Sequence, residues 1–232
     1  MMARSSIVRL SNLDRILILA PERYDPRRTT RTGAHVLSSV ATVVREQVSP
    51  ANGSRAPRCR VVDTSDAREG VLFPRRPPID LDEIGSAKKV VKPGDVIVSR
   101  LRPYLRQVAY VDDKIAENQQ GSVLLVCSTE FFVLRSLDDR SVAFLVPFLL
   151  SDPIQSVLAA SQEGGHHPRF NQATLESLPI PDWLIASRDE VSTNVVQLVS
   201  AARNADNEMR ALVARCSDAS RVVAAGSAEP GV

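Results

Sequence analysis

The chain has 232 residues, of which 44% are hydrophobic and 24% charged, and its formal net charge is +2. This is the composition of an ordinary globular protein, and no run approaches the roughly 18 apolar residues that a membrane span needs. Its three cysteines, Cys59, Cys127 and Cys216, form no CxxC pair and read as reduced thiols of a cytoplasmic protein.

The first 24 residues, "MMARSSIVRLSNLDRILILAPERY", mix charges into their apolar part and show no small-residue cleavage site, so no signal peptide is expected. "PERYDPRRTTRTG" is a polar loop punctuated by proline. In "AHVLSSVATVVREQV" the apolar positions Val36, Leu37, Val40, Val43 and Val44 fall at helical spacing, which predicts a helix. "RCRVVDTSDAREGVLF" reads as strand, turn and short strand, and "PRRPPIDLDEIGSAKK" as a connection with one helical turn. "KKVVKPGDVIVSRLRPYLRQVAYVDD" predicts a strand, a Pro-Gly-Asp turn, a β-branched strand at 95–99, an arginine-rich turn and a strand at 106–111. "GSVLLVCSTEFFVLRS" holds two more strands. "SVAFLVPFLLSDPIQSVLAAS" is helical, with interruptions at Pro147 and Pro153. "NQATLESL" is a short helix that Asn171 caps. Short strands and helices without a βαβ rhythm predict an α+β domain over residues 1–185.

From Ser187 the pattern changes. "SRDE" reads as a capping box, with Ser187 at the N-cap and Glu190 three residues on. Val191, Val195, Leu198, Ala202, Ala205, Met209, Leu212 and Cys216 then alternate at spacings of four and three, a heptad stripe. The helix expected over 186–224 is too long to be covered by the preceding domain. It either lies back along that domain or pairs with a partner helix, and the second reading is taken here. The tail, 225–232, is expected to be disordered.

The residues carry little sign of catalysis. His166 and His167 are adjacent, so they point apart, and His35 is the only other histidine; no metal site is read. There is no GxSxG elbow, no GxGxxG and no GxxxxGK[ST], hence no expected nucleophile or cofactor. Charge instead points to an anionic partner. Residues 88–106 carry Lys88, Lys89, Lys92, Arg100, Arg102 and Arg106 against Asp95 alone. The turn "SRLRPYLRQ" places Tyr104 among three arginines, residue types that grip phosphates, fork onto guanine and stack. "AENQQGS" offers Asn118 and Gln119. "EGGHHPRFNQ" offers Gly165, His166, His167, Arg169, Asn171 and Gln172, of which the amides suit adenine edges. Residues 164–172 are expected to line a cleft, with Arg100, Arg102 and Arg106 opposite.

In order, these segments resemble the specificity subunit of type I restriction–modification systems. "RLSNLDRILILAPERYDPRR", "HVLSSVATV", "RVVDTSDAREGVL", "KKVVKPGDVIVSRLRP" and "EGGHHPRFNQATLESLPIPDW" follow the family's succession over about residues 5–215. The resemblance implies a non-catalytic, phage-defence DNA-binding subunit that directs a methyltransferase, with one target recognition domain and one spacer helix where the family usually has two of each. It further implies that two copies pair through the helix and read a two-fold target. "PDWLIASRDE" stands where the family's P-x-x-E-Q motif is usual. A stand-alone DNA-binding regulator and a coiled-coil scaffold that binds no nucleic acid are the alternatives.

Overall fold

The computed structural model describes residues 35–50, 57–117, 123–163 and 168–226, with the side chains of 116–117 and 218–226 outside the description. The described chain is α+β. Its first strands are β1 (His35–Val36), β2 (Ala41–Val43), β3 (Gln47–Val48) and β4 (Arg58–Val62). The short pair β5 (Ala67–Arg68) and β6 (Val71–Leu72) follows, then β7 (Ile79–Asp80), β8 (Lys88–Val90), β9 (Val96–Ser99) and β10 (Val108–Tyr110). After α1 (Lys114–Glu117) come β11 (Leu124–Cys127) and β12 (Phe131–Ser136). The chain closes with α2 (Leu145–Leu150), α3 (Asp152–Ala160), α4 (Gln172–Glu176), β13 (Pro179–Ile180), α5 (Asp182–Ala186) and α6 (Arg188–Gly226).

Two sheets form the centre. One has the order β10-β9-β12-β2 and is wholly antiparallel; the other has the order β3-β8-β11-β4-β7, with β11 and β4 parallel. The β-branched run Val96–Ser99 and the apolar part of Phe131–Ser136 are buried, as strands covered on both faces must be. The largest apolar cluster joins Val96, Val98, Phe132 and Leu134 to α2, α3 and the segment around Phe170. With aromatics scarce, aliphatic packing of this kind carries the core.

The helix expected over residues 34–48 is absent. The stretch folds as β1, a 3-10 turn at Leu37–Ser39, β2 and β3. Its valines are β-branched and fit a strand surface. Distant partners fix them there: β1 pairs with β13, β2 with β12 and β3 with β8.

α6 is a single helix of 39 residues, about 58 Å long at 1.5 Å per residue. No described helix is long and apolar enough to cross a membrane. Among the described residues no α6 amide donates to the Ser187 hydroxyl, which itself donates back to the Trp183 carbonyl at 2.7 Å. The first part of α6 lies on the sheets. Arg188, Ser192, Val195, Val199 and Arg203 share one face, at spacings of four and three, and all five are buried. Arg188 forks onto Asp138 at 2.8 and 2.9 Å and sits 5.3 Å over the Phe144 ring. Arg203 forks onto Asp112, beyond β10. After Arg203 the helix leaves this surface, and Ala205, Met209, Leu212, Val213 and Cys216 are exposed.

The heptad stripe is therefore divided. Val195 is spent in the chain's own core, and Val191 and Ala202 pack partly against it. Leu198, 69% exposed, points away. The domain takes a face about a quarter turn from the stripe, and that face includes two arginines and a serine that a hydrophobic pattern cannot see.

Candidate nucleic-acid interface

The register of β9 and β12 builds the site. Phe131 pairs with Ser99, so the next residues outward, Glu130 and Arg100, stand side by side at the strand ends. The Arg100 amide donates to the Glu130 carbonyl at 2.9 Å. Arg169 arrives from the other end of the sequence. Phe170 is buried, its ring 5.6 Å from that of Phe132, and its amide donates to the Arg100 carbonyl at 3.2 Å. Leu101 and Arg169 form an antiparallel bridge. With Phe170 turned into the core, the preceding side chain points outward.

Both arginines close on Glu130. Arg169 donates from Nε to Oε2 at 2.9 Å and from Nη2 to Oε1 at 2.7 Å. Arg100 Nε donates to Oε2 at 2.9 Å. These bonds, with Arg169 the larger contributor, hold the Glu130 carboxyl at about 2, against the opposing effect of its partial burial. Lys89 lies behind the pair. Its Nζ donates to the Phe131 carbonyl at 2.6 Å and sits 5.4 Å from the Phe132 ring centroid, and burial pulls its pKa down. Beside it, burial pushes the Cys127 thiol up to about 12. Three cations around one carboxylate leave the cluster positive, and the guanidiniums of Arg100 and Arg169 remain roughly one-third exposed. Such a cluster can hold an anion or the acceptor edge of a base.

Not every expected residue joins it. Arg106 is engaged with Glu69 at 3.2 Å and Asp152 at 3.3 Å rather than with Glu130. Arg102 is exposed, with no partner among the described residues, and Tyr104 projects into solvent. Lys88 donates to Ser86. Asn171 is spent as a helix cap: its Oδ1 accepts from the Thr174 amide at 2.9 Å and hydroxyl at 3.1 Å. Gln172 donates to Glu176 at 2.7 Å. Asn118, Gln119, Gly165, His166 and His167 lie outside the described residues. Glu130, the centre of the cluster, was missed by the sequence reading. The one signal for it, a lone acid in the turn between two apolar strands, does not name its partners.

No family model matches the chain, and no curated protein matches it. Solved structures do. A chain from a structure of complex assembly and conformational transition in the type I R-M system aligns with a TM-score of 0.53 at 25% identity, over 82% of this chain and 46% of that one.

The chain shares its fold with a chain of the type I R-M system.

The HsdS subunit from Thermoanaerobacter tengcongensis aligns with a TM-score of 0.49 at 22% identity, over 85% of this chain and 50% of that subunit. The chain thus spans about half the length of the solved chains it matches. Within this fold, the segments "KKVVKPGDVIVSRLRP" and "PRFNQATLESLPIPDW" supply the two arginines that meet on Glu130, while "PDWLIASRDE" leads through α5 into α6.

Proposed function

We propose that this chain is a DNA-sequence-recognition subunit without catalysis of its own, which selects the site at which a partner methyltransferase acts. The observation that supports this most is the meeting of Arg100 and Arg169 on Glu130. Two segments far apart in the chain converge there to present a held pair of guanidiniums on a fold shared with a chain of the type I R-M system. A carboxylate that grips an arginine fixes the fork and lets it read a base edge rather than sweep through solvent. Arg102 adds an exposed cation next to the pair and suits a backbone phosphate. On this reading the residues before α6 are the recognition body, and the outer half of α6 carries an exposed apolar stripe. A second copy pairing through that stripe would set two recognition bodies at a fixed distance and so match a two-fold target.

The test is duplex binding by the full chain against rising salt. Affinity should fall linearly on a log–log plot, as phosphate neutralisation requires. Arg169→Ala should weaken binding to the preferred sequence by about 1–3 kcal/mol, and Arg102→Ala should weaken it on all sequences alike. Salt-independent or absent binding would refute the reading. Capture of a methyltransferase by the tagged chain separates this role from that of a stand-alone DNA-binding regulator.

A further inference from the structure

Among the described residues, three other than glycine have left-handed backbone: Glu69 at φ 42°, Arg102 at 44° and Arg106 at 51°. This conformation is unfavourable for any residue with a Cβ, and it persists only where surrounding structure imposes it. All three meet at one tip. The Glu69 amide donates to the Arg106 carbonyl at 3.3 Å, and their side chains pair at 3.2 Å. Arg102 and Arg106 bracket the 3-10 turn Pro103–Leu105.

The turn is held firmly from below. Pro103 is buried, Arg106 is tied to Asp152 at the start of α3, and the Arg106 amide donates to the Pro103 carbonyl at 2.8 Å. What the strain achieves is the display of Tyr104 and Leu105, 68% and 45% exposed. A lone exposed Tyr or Leu needs no explanation. Here two stand together on a braced turn, with the exposed Arg102 at its foot and the Arg100–Glu130–Arg169 cluster joined to it through the bridge of Leu101 to Arg169.

Resting on the DNA-binding reading above, the geometry points to Tyr104 and Leu105 as a wedge that enters the duplex between neighbouring base pairs beside the step touched by Arg100 and Arg169. A phenol ring can stack on any base, a leucine fills the gap of an opened step, and Arg102 meets the flanking phosphate. The wedge adds indirect selectivity, because steps that unstack easily, pyrimidine–purine above all, accept it most readily.

The experiment uses the full chain and duplexes that it enriches from a random pool, with 2-aminopurine placed at each position in turn. The wedge predicts that one step brightens on binding. The double variant Tyr104→Ala/Leu105→Ala should lose that signal and bind about tenfold more weakly, while Tyr104→Phe retains both. All should melt like the parent, since both side chains are exposed. If the double variant binds its duplex like the parent, or no step brightens, the wedge is overturned and the arginine site stands. If the double variant keeps DNA binding but loses a co-purifying protein, the tip is a protein contact and the wedge is likewise overturned. If the parent enriches no duplex, the DNA-binding reading falls and the wedge with it.

Discussion

Asp112 and Arg203, 91 positions apart, form a two-pronged ion pair that is only about one-tenth exposed and ties α6 to the end of β10. The pair sits where the helix leaves the body. Together with Arg188 on Asp138 it fixes α6 at two points along the same face. Two points define a direction, so these pairs set the angle at which the outer helix projects.

Removing one member should be costly, because the other is left charged and buried. Arg203→Ala or Asp112→Ala should lower stability by about 3–5 kcal/mol, whereas a shape-matched apolar pair such as Arg203→Met with Asp112→Leu should recover most of it. Urea unfolding followed by two probes checks both statements. A single variant with parental stability would show that the fork contributes nothing.

Glu130 supplies a pH prediction. Its folded pKa is about 2, depressed below the ordinary 4.5 chiefly by Arg169. A depressed acid stabilises the fold above its unfolded pKa, and that contribution is lost as the pH falls through the folded pKa. The difference in unfolding free energy between parent and Glu130→Gln should therefore be full above about pH 4.5 and shrink towards about pH 2. Under the proposed function the same variant releases Arg100 and Arg169, so at neutral pH it should bind duplex less selectively. Measuring stability from pH 2 to 7 for both proteins separates this group from other carboxylates, which titrate alike in each.

Asn171 should behave as a structural residue. Its Oδ1 caps α4 through Thr174, and Asn171→Ala should cost about 1 kcal/mol while Asn171→Asp retains the cap. Thermal unfolding of both variants reads this directly. If the alanine variant keeps its stability but changes its base preference, the side chain acts on DNA instead.

The cap was legible because all its parts lie within four residues. So were the strands around Val96–Ser99, where a β-branched run is bounded by a Pro-Gly-Asp turn and an arginine turn. Residues 35–48 misled because Val36, Val40 and Val43 satisfy helical spacing while the strand partners of Val36 and Val43, in β13 and β12, lie far along the chain. Glu130 was invisible for the same reason: its arginines come from 30 positions before and 39 after. On α6 the spacing was real but its division was not, since the domain grips Arg188, Ser192 and Arg203, which a hydrophobic pattern assigns to solvent.

That division makes the two halves of α6 separable by mutation. Val199, 3% exposed, belongs to the chain's own core, and Val199→Ala should cost about 1–3 kcal/mol of stability through lost burial and the cavity left behind. Met209 and Leu212, 60% and 50% exposed, have no core to lose in the single chain. Met209→Lys with Leu212→Lys should leave the unfolding midpoint of a dilute sample unchanged. Under the proposed pairing, the same change places like charges across a two-fold seam and should abolish self-association in sedimentation equilibrium. The parent should show mass rising with concentration over the same range. A parent that stays a single chain at every concentration would remove the two-fold target from the proposal and leave the stripe to a different helix, which the lysine variant would then fail to capture.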